Sequence, residues 1–234
     1  MLKSQRHEII LSTLKQKSSV TVSELMKLLN VTDATVRRDL TELDRDNKLI
    51  KIHGGATTIN SDHPIELSHK QKKVINVDKK EMIAEKAVKL IKEYDHIFLG
   101  PGTTIEQLTM KIDIPNLKVV TNSLSVFNIL SRKKLEGLEL FLVGGEYRKH
   151  TEAFVGELAN IAISHLTFNK MFFSANGILD NKIMTATLTE GQTQATALDN
   201  STEKYLLIDS TKFGKTDLYN FYNLNNITQL ISNE

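Results

Sequence analysis

Three short apolar stripes at helical spacing open the chain. Ile9, Ile10 and Leu14 give the first predicted helix its buried face. Thr21-Val22-Ser23-Glu24 reads as a capping box that starts the second, with Leu25, Leu28 and Leu29 as its stripe. Asn30 suits the end of that helix, and Thr32 suits the N-cap of a third, in which Val36, Leu40 and Leu43 share a face. With Val36 turned inward, Ala34, Thr35, Arg38 and Thr41 fall on the opposite side and Arg37 on the flank. Lys48–Gly55 then alternates Leu49, Lys51 and His53 against Ile50 and Ile52, as one strand of a small hairpin does.

Residues 57–78 are polar, contain Pro64 and hold no sustained period, which marks a linker. From there the period switches repeatedly. Helices are predicted near 79–94, 103–112, 123–132, 157–165 and 190–202. Strands are predicted at 96–100, Lys118–Thr121, Glu139–Gly145, Lys170–Ala175 and Tyr205–Asp209. Strands apolar at every position, separated by helices, predict a mainly parallel sheet covered on both faces. The expected organisation is a small helical head at 1–56, a linker at 57–78 and an α/β domain at 79–234.

Composition narrows the setting. The chain of 234 residues has no cysteine, so disulfides and thiolate metal sites are excluded and a reducing, cytoplasmic location is expected. No apolar run approaches the roughly 20 residues that span a bilayer, and the first fifteen residues lack the apolar core of a signal peptide. The net charge of +2 identifies no partner. Its distribution is more informative, because residues 1–60 carry ten Lys and Arg against seven Asp and Glu. That excess suits nucleic acid without requiring it.

Two short helices joined by a tight turn, followed by a basic hairpin, form a winged helix-turn-helix. Its third helix would enter a major groove. Thr35 and Arg38 could then reach base edges, while Arg37, Lys51 and His53 are better placed for phosphates, and Thr32 and Thr41 join them as DNA-binding residues. An Arg–guanine pair is worth about 1–3 kcal/mol of discrimination. The plainer alternative is a three-helix module with solvated charges. The stretch from Val31 to Ala56 resembles the DNA-binding domain of the DeoR family of transcriptional regulators. The matching positions are Thr35, Arg37, Arg38, Asp39 and Leu40, then His53-Gly54-Gly55-Ala56. The resemblance implies double-stranded operator DNA as partner and a homodimer or higher homo-oligomer on a near-palindromic site.

The remaining chemistry sits after the apolar strands, where Gly100–Thr104, Thr121-Asn122-Ser123, Gly144-Gly145-Glu146 with Arg148, Asn176-Gly177, and Asp209 with Lys212 break the pattern. In a parallel sheet these breaks share one edge, where ligands bind. Glycines admit a close backbone, and threonine hydroxyls, N–H groups and cations suit an anion. A dinucleotide site is not expected, since Ile105 stands where the third glycine belongs and no acid follows Thr121-Asn122. Gly214-Lys215-Thr216 is no P-loop, because Asp209 occupies the position of its first glycine. The seven histidines show no ligand spacing, so neither metal nor cofactor is expected.

These strings resemble the sensor domain of DeoR-type regulators, related in fold to ribose-5-phosphate isomerase and the coenzyme A transferases. More narrowly, Phe98–Thr104, Ala153–Glu157, Lys170–Gly177 and Glu203–Lys212 resemble the lactose phosphotransferase system repressors of Gram-positive bacteria. That resemblance implies a phosphorylated sugar, tagatose 6-phosphate, as the inducer. Gly100, Gly102, Thr103 and Thr104 would cradle its phosphate and Lys212 would lie beside the sugar. Thr121, Asn122, Gly144, Gly145, Arg148, Asn176 and Glu190 would complete the site, and signals to the head would pass through 57–78. The alternative is an isomerase-like enzyme carrying a DNA-binding head. Asn176 stands where many such domains have an aspartate, and an amide takes no proton as a base. Gly191, beside Glu190, is expected to loosen its helix start. The chain ends soon after Ile227–Ser232, where family members generally continue, which bears on the last sheet edge and on any oligomer contact.

Overall fold

Ile10, Leu14, Leu25, Leu29, Val36, Leu40, Leu43 and Leu49 meet in one buried cluster, so the three predicted stripes face each other. The structure, a computed structural model, describes residues 1–17, 19–46, 48–52, 54–58 and 66–234. Contacts divide the chain into two units, Met1–Leu67 and Ser68–Glu234. The first contains α1 (Lys3–Lys17), β1 (Ser19–Thr21), α2 (Val22–Leu29), α3 (Asp33–Arg45), β2 (Ile50–Ile52) and β3 (Gly55–Thr57). The capping box is present in full. Thr21 Oγ1 accepts from Glu24 N–H at 3.1 Å, and Glu24 Oε2 accepts from Thr21 N–H at 2.8 Å. Asn30 ends α2 in the left-handed conformation.

Two details differ from the expected pattern. Leu28 is 53% exposed, and Val22 takes its place in the stripe. It lies about a quarter-turn around α2 from the line through Val22, Leu25 and Leu29, and the small core covers only one side of the helix. The predicted hairpin is β2–β3, and β1 pairs with the other side of β3, giving an antiparallel sheet in the order β1-β3-β2.

The second unit opens with α4 (His69–Lys73) and α5 (Val77–Val88). There follow β4 (His96–Leu99), α6 (Thr103–Lys111), β5 (Lys118–Thr121), α7 (Leu124–Leu130) and β6 (Glu139–Leu142). A hairpin of β7 (Glu146–Arg148) and β8 (Ala153–Val155) leads to α8 (Glu157–Ser164) and β9 (Phe168–Phe173). Then come β10 (Gly177–Leu179), β11 (Lys182–Thr185), α9 (Leu188–Asp199), β12 (Ser201–Leu207), β13 (Tyr219–Asn223) and β14 (Gln229–Ile231). Six strands form one parallel sheet in the order β14-β12-β9-β4-β5-β6. Strands β10, β11 and β13 form a separate antiparallel sheet.

The central stretches of these strands are apolar because alternate side chains feed two cores. Ile97, Leu99, Phe172 and Leu207 join Ile83, Leu108 and Leu130 of α5, α6 and α7. Phe98, Met171, Phe173 and Leu206 join Ile163 of α8 and Leu198 of α9. Burying both faces is what a parallel sheet requires.

Boundaries shift where pairing or capping overrides local pattern. Thr187 caps α9, so that helix starts at Leu188 rather than 190, and polar Ser201 already pairs with Phe168 in the sheet. The stretch expected as linker is structured at both ends. Thr57 pairs in the head sheet, and a Ser68–Gln71 capping box starts α4, whose His69 is buried. The last edge is β14, which pairs with β12 and buries Ile231. Gly191 does not loosen a helix start. It lies inside α9 under β13, where a Cβ would stand 2.3 Å from Tyr219 Cδ1 and 2.9 Å from Phe221 Cβ. Gly191→Ala should therefore cost about 1–3 kcal/mol through overpacking, read as a lower urea midpoint, whereas a helix limited by glycine flexibility would gain stability.

Candidate functional site

In the head, α3 presents the polar face that its periodicity predicts. Thr32 caps it, accepting from Thr35 N–H at 3.4 Å, and the two threonine hydroxyls lie 3.0 Å apart. Arg37 pairs with Asp33 at 2.5 Å. Arg38 projects with its side chain 82% exposed, 3.6 Å from Glu42. Thr41 donates to the Arg37 carbonyl and accepts from Lys51 Nζ at 2.6 Å, which joins β2 to the exposed face of α3. His53 lies outside the described residues.

What fixes α3 is a residue that periodicity did not single out. Asp39 is 2% exposed and takes two hydrogen bonds from Arg6 of α1, at 2.6 and 2.9 Å. Burial alone would raise its pKa, but the Arg6 guanidinium outweighs that, with help from His7, and holds the carboxyl below its usual range. His7, Asp39 and Glu42 offer ligand atoms within 4.8 Å of one another, a grouping that linear spacing could not reveal. Arg6 on Asp39 and Lys3 on Glu42 already neutralise its carboxylates.

In the second unit the sheet order places the site. The chain moves from β4 outward through β5 and β6, then returns to the other side of β4 as β9. Segments leaving β4 and β9 diverge, and α6 packs on one face while α9 packs on the other. A crevice at the carboxyl ends of these two strands follows. Gly100–Thr104 forms one lip. Gly102 adopts φ +133, a conformation that strains other residues, and a Cβ there would lie 3.4 Å from Ser174 of the opposite lip. Gly102, the N-cap of α6, offers no side-chain cap, so the first N–H groups of the helix, beside buried Thr103 and Thr104, start at this lip.

Cations gather at the same edge. Lys212 Nζ donates to the Ala175 carbonyl at 2.6 Å, and Lys72 Nζ donates to Asn176 Oδ1 at 2.9 Å. Lys80, 4% exposed, donates to the Lys72 carbonyl. Burial pushes Lys80 and Lys212 each down to about 8, and the charge of Lys72 adds to the effect on both. Asp209 opposes this as their counter-charge. Burial would raise its own pKa, but Lys212, Thr211 and Lys80 together keep it low. Spacing could have exposed Lys80, which shares its stripe with Ile83, Ala84 and Ala87, an apolar face where a lysine is out of place.

The other expected residues have these surroundings. Thr121 is fully buried and donates to the Leu99 carbonyl at 2.6 Å. Asn122 is buried and donates to the Phe154 carbonyl at 2.9 Å. Gly144 is open, whereas a Cβ on Gly145 would stand 2.7 Å from the Val155 carbonyl oxygen. Arg148 pairs with buried Glu190 at 3.2 Å, and Thr151 also donates to Glu190. Asn176 donates to Asp217 at 2.7 Å as well as accepting from Lys72.

Comparison with known proteins assigns both units. Residues 6–62 match the DeoR-like helix-turn-helix domain, and residues 75–234 match the DeoR C terminal sensor domain. The chain belongs to the DeoR family. It is 46% identical over 99% of its length to the lactose phosphotransferase system repressor of Streptococcus mutans, covering 92% of that protein. It is 45% identical, with the same coverage, to the repressor of that name from Staphylococcus aureus. Among solved structures, translation initiation factor eIF-2B from Pyrococcus horikoshii OT3 matches all of this chain and 82% of its own, with TM-score 0.52 and 12% identity, a likeness of fold. Ribose 5-phosphate isomerase A from Methanocaldococcus jannaschii matches 59% of this chain and 55% of its own, with TM-score 0.42 and 17% identity.

A DeoR-family chain with a helix-turn-helix head is a DNA-binding regulator, and no described helix is long and apolar enough to cross a membrane. For the head, Arg38→Ala should relax base preference at one operator position, while Lys51→Ala should weaken all DNA alike and flatten the salt slope by about one. Binding by both variants that equals the parent's would refute this docking. Arg6→Ala should lower the urea midpoint of the head well below that of Arg38→Ala, because it leaves Asp39 buried without its main partner. The contribution of Asp39 is fully present above its unfolded pKa near 4 and is lost as the pH falls through the lower folded value. The head should therefore lose stability in acid, and less steeply in Asp39→Asn.

Proposed function

We propose that this protein represses a sugar-catabolism operon, that of lactose or galactose use, and leaves its operator when a phosphorylated sugar, tagatose 6-phosphate, fills the crevice between β4 and β9. The observation that carries this is the 46% identity, over 99% of the chain, to a lactose phosphotransferase system repressor. The geometry supports the same reading. A dianionic phosphate fits a glycine lip, an uncapped helix start and the ammonium groups of Lys72, Lys80 and Lys212. Two chains would place two heads on a near-palindromic operator.

The inducer must bind the released arrangement more tightly than the operator-bound one. Moving operator occupancy from about 99% to about 1% takes roughly 5.5 kcal/mol of differential binding. A few hydrogen bonds to a charged phosphate, at about 1.5–3 kcal/mol each, suffice. Turnover is disfavoured by the polar groups themselves. Asn176 cannot serve as a base, and Glu190 is engaged by Arg148 and Thr151.

Operator affinity measured against a panel of hexose and pentose phosphates tests the reading. Tagatose 6-phosphate should release the DNA, and indifference to every member would sink the inducer. Thr103→Val with Thr104→Val should raise the concentration needed by about tenfold or more, in keeping with the loss of one or two such bonds. Inducer affinity should fall as the pH is raised through about 8, where Lys80 and Lys212 lose their charge.

A further inference from the structure

We propose that α4, the first helix after the DNA-binding head, is a clasp over the crevice, and that a bound phosphate locks it down through Lys72 and Lys80. This rests on the crevice being the phosphate site. The short helix and the turn that follows it reach the ends of three adjacent strands, β4, β9 and β12. Beyond β4, buried His69 bonds Glu106 in the first turn of α6, and Lys73 lies 3.4 Å from the same carboxylate. Beyond β9, Lys72 donates to Asn176. Beyond β12, Asn76 donates to Asp209 at 3.3 Å, and Lys79 at the start of α5 donates to Ser210 at 3.3 Å.

Electrostatics give the clasp its dependence on ligand. Glu106 is 1% exposed and stands in the first turn of α6, beside the lip that would take the phosphate. A bare carboxylate there would repel an anion. Its side-chain partners, the His69 ring and the Lys73 ammonium, both come from α4. On the other side of the crevice, burial and the charge of Lys72 lower the proton affinity of Lys80 and Lys212, with Asp209 the principal carboxylate among them. A dianion placed among these ammoniums relieves their repulsion and bridges α4 and α5 to the end of β9. Undocking α4 would then break contacts to the ligand as well as to protein. Because Ser68 begins the sensor unit, holding α4 fixes the point from which the chain runs back to the head.

The test pairs calorimetry with amide hydrogen exchange over residues 68–76, using tagatose 6-phosphate and inorganic phosphate as probes on the full chain. The parent should bind tagatose 6-phosphate and slow exchange in this segment. Lys72→Gln should lose at least tenfold in affinity and all of that protection, and Lys72→Arg should recover most of both. Lys70→Ala, on the exposed side of α4, should behave as the parent. If the parent binds but α4 exchange is unmoved, or Lys72→Gln binds equally well, the clasp is wrong and the sensor reading survives. If the parent binds neither probe, both fall.

Discussion

The functional half of this molecule depends on one reversal in strand order. Strands β4, β5 and β6 add outward in sequence, and the chain then recrosses to lay β9 against the free side of β4. Connections to a parallel strand are right-handed, so a reversal of direction sends the following helices to opposite faces. That divergence is what opens a crevice in an otherwise close-packed sheet. The glycine lip, Asn176, Lys212 and α4 are all gathered at this one place. Thr121 after β5 bonds the Leu99 carbonyl at the end of β4, Asn122 braces the β7–β8 hairpin, and the turn of that hairpin accepts from the His69 N–H of α4.

In the head, a buried ion pair plays the equivalent part. Asp39 points inward from α3 to Arg6 of α1, so the recognition helix is held by a bidentate contact as well as by Val36, Leu40 and Leu43. Neighbouring arginines on the outer face differ in their ties. Arg37 is tied to Asp33 within its own helix, while Arg38 extends into solvent with only a distant contact to Glu42.

Sensing and catalysis differ here by the state of a few polar groups rather than by fold. A sheet edge that concentrates positive charge binds a sugar phosphate whether or not it transforms it. Transformation needs a base held ready; in this chain position 176 is an amide bonded to Asp217, and the Glu190 carboxylate pairs with Arg148. The buried lysines concentrate positive charge at this edge, and Lys72 of α4 shares it.

The sequence by itself determined the two-part architecture, because capping boxes, apolar stripes and all-apolar strands are local signals with short periods. It also determined the recognition helix, whose exposed face follows from 3.6-residue geometry once Val36 is placed inward. The glycine lip was legible for the same reason, as a break directly after an apolar strand. What only the tertiary structure decided was which strand ends adjoin, since strand order depends on long-range pairing that leaves no local trace. Hence Thr121, Asn122 and Gly145, equal to Asn176 and Lys212 as strings, turn out to be spent on packing and backbone bonds. Hence also Lys72 and His69, in a stretch that reads as linker, meet partners between 37 and 104 positions away. Their roles are set by charge brought together across the sheet edge, and no spacing along the chain encodes that distance.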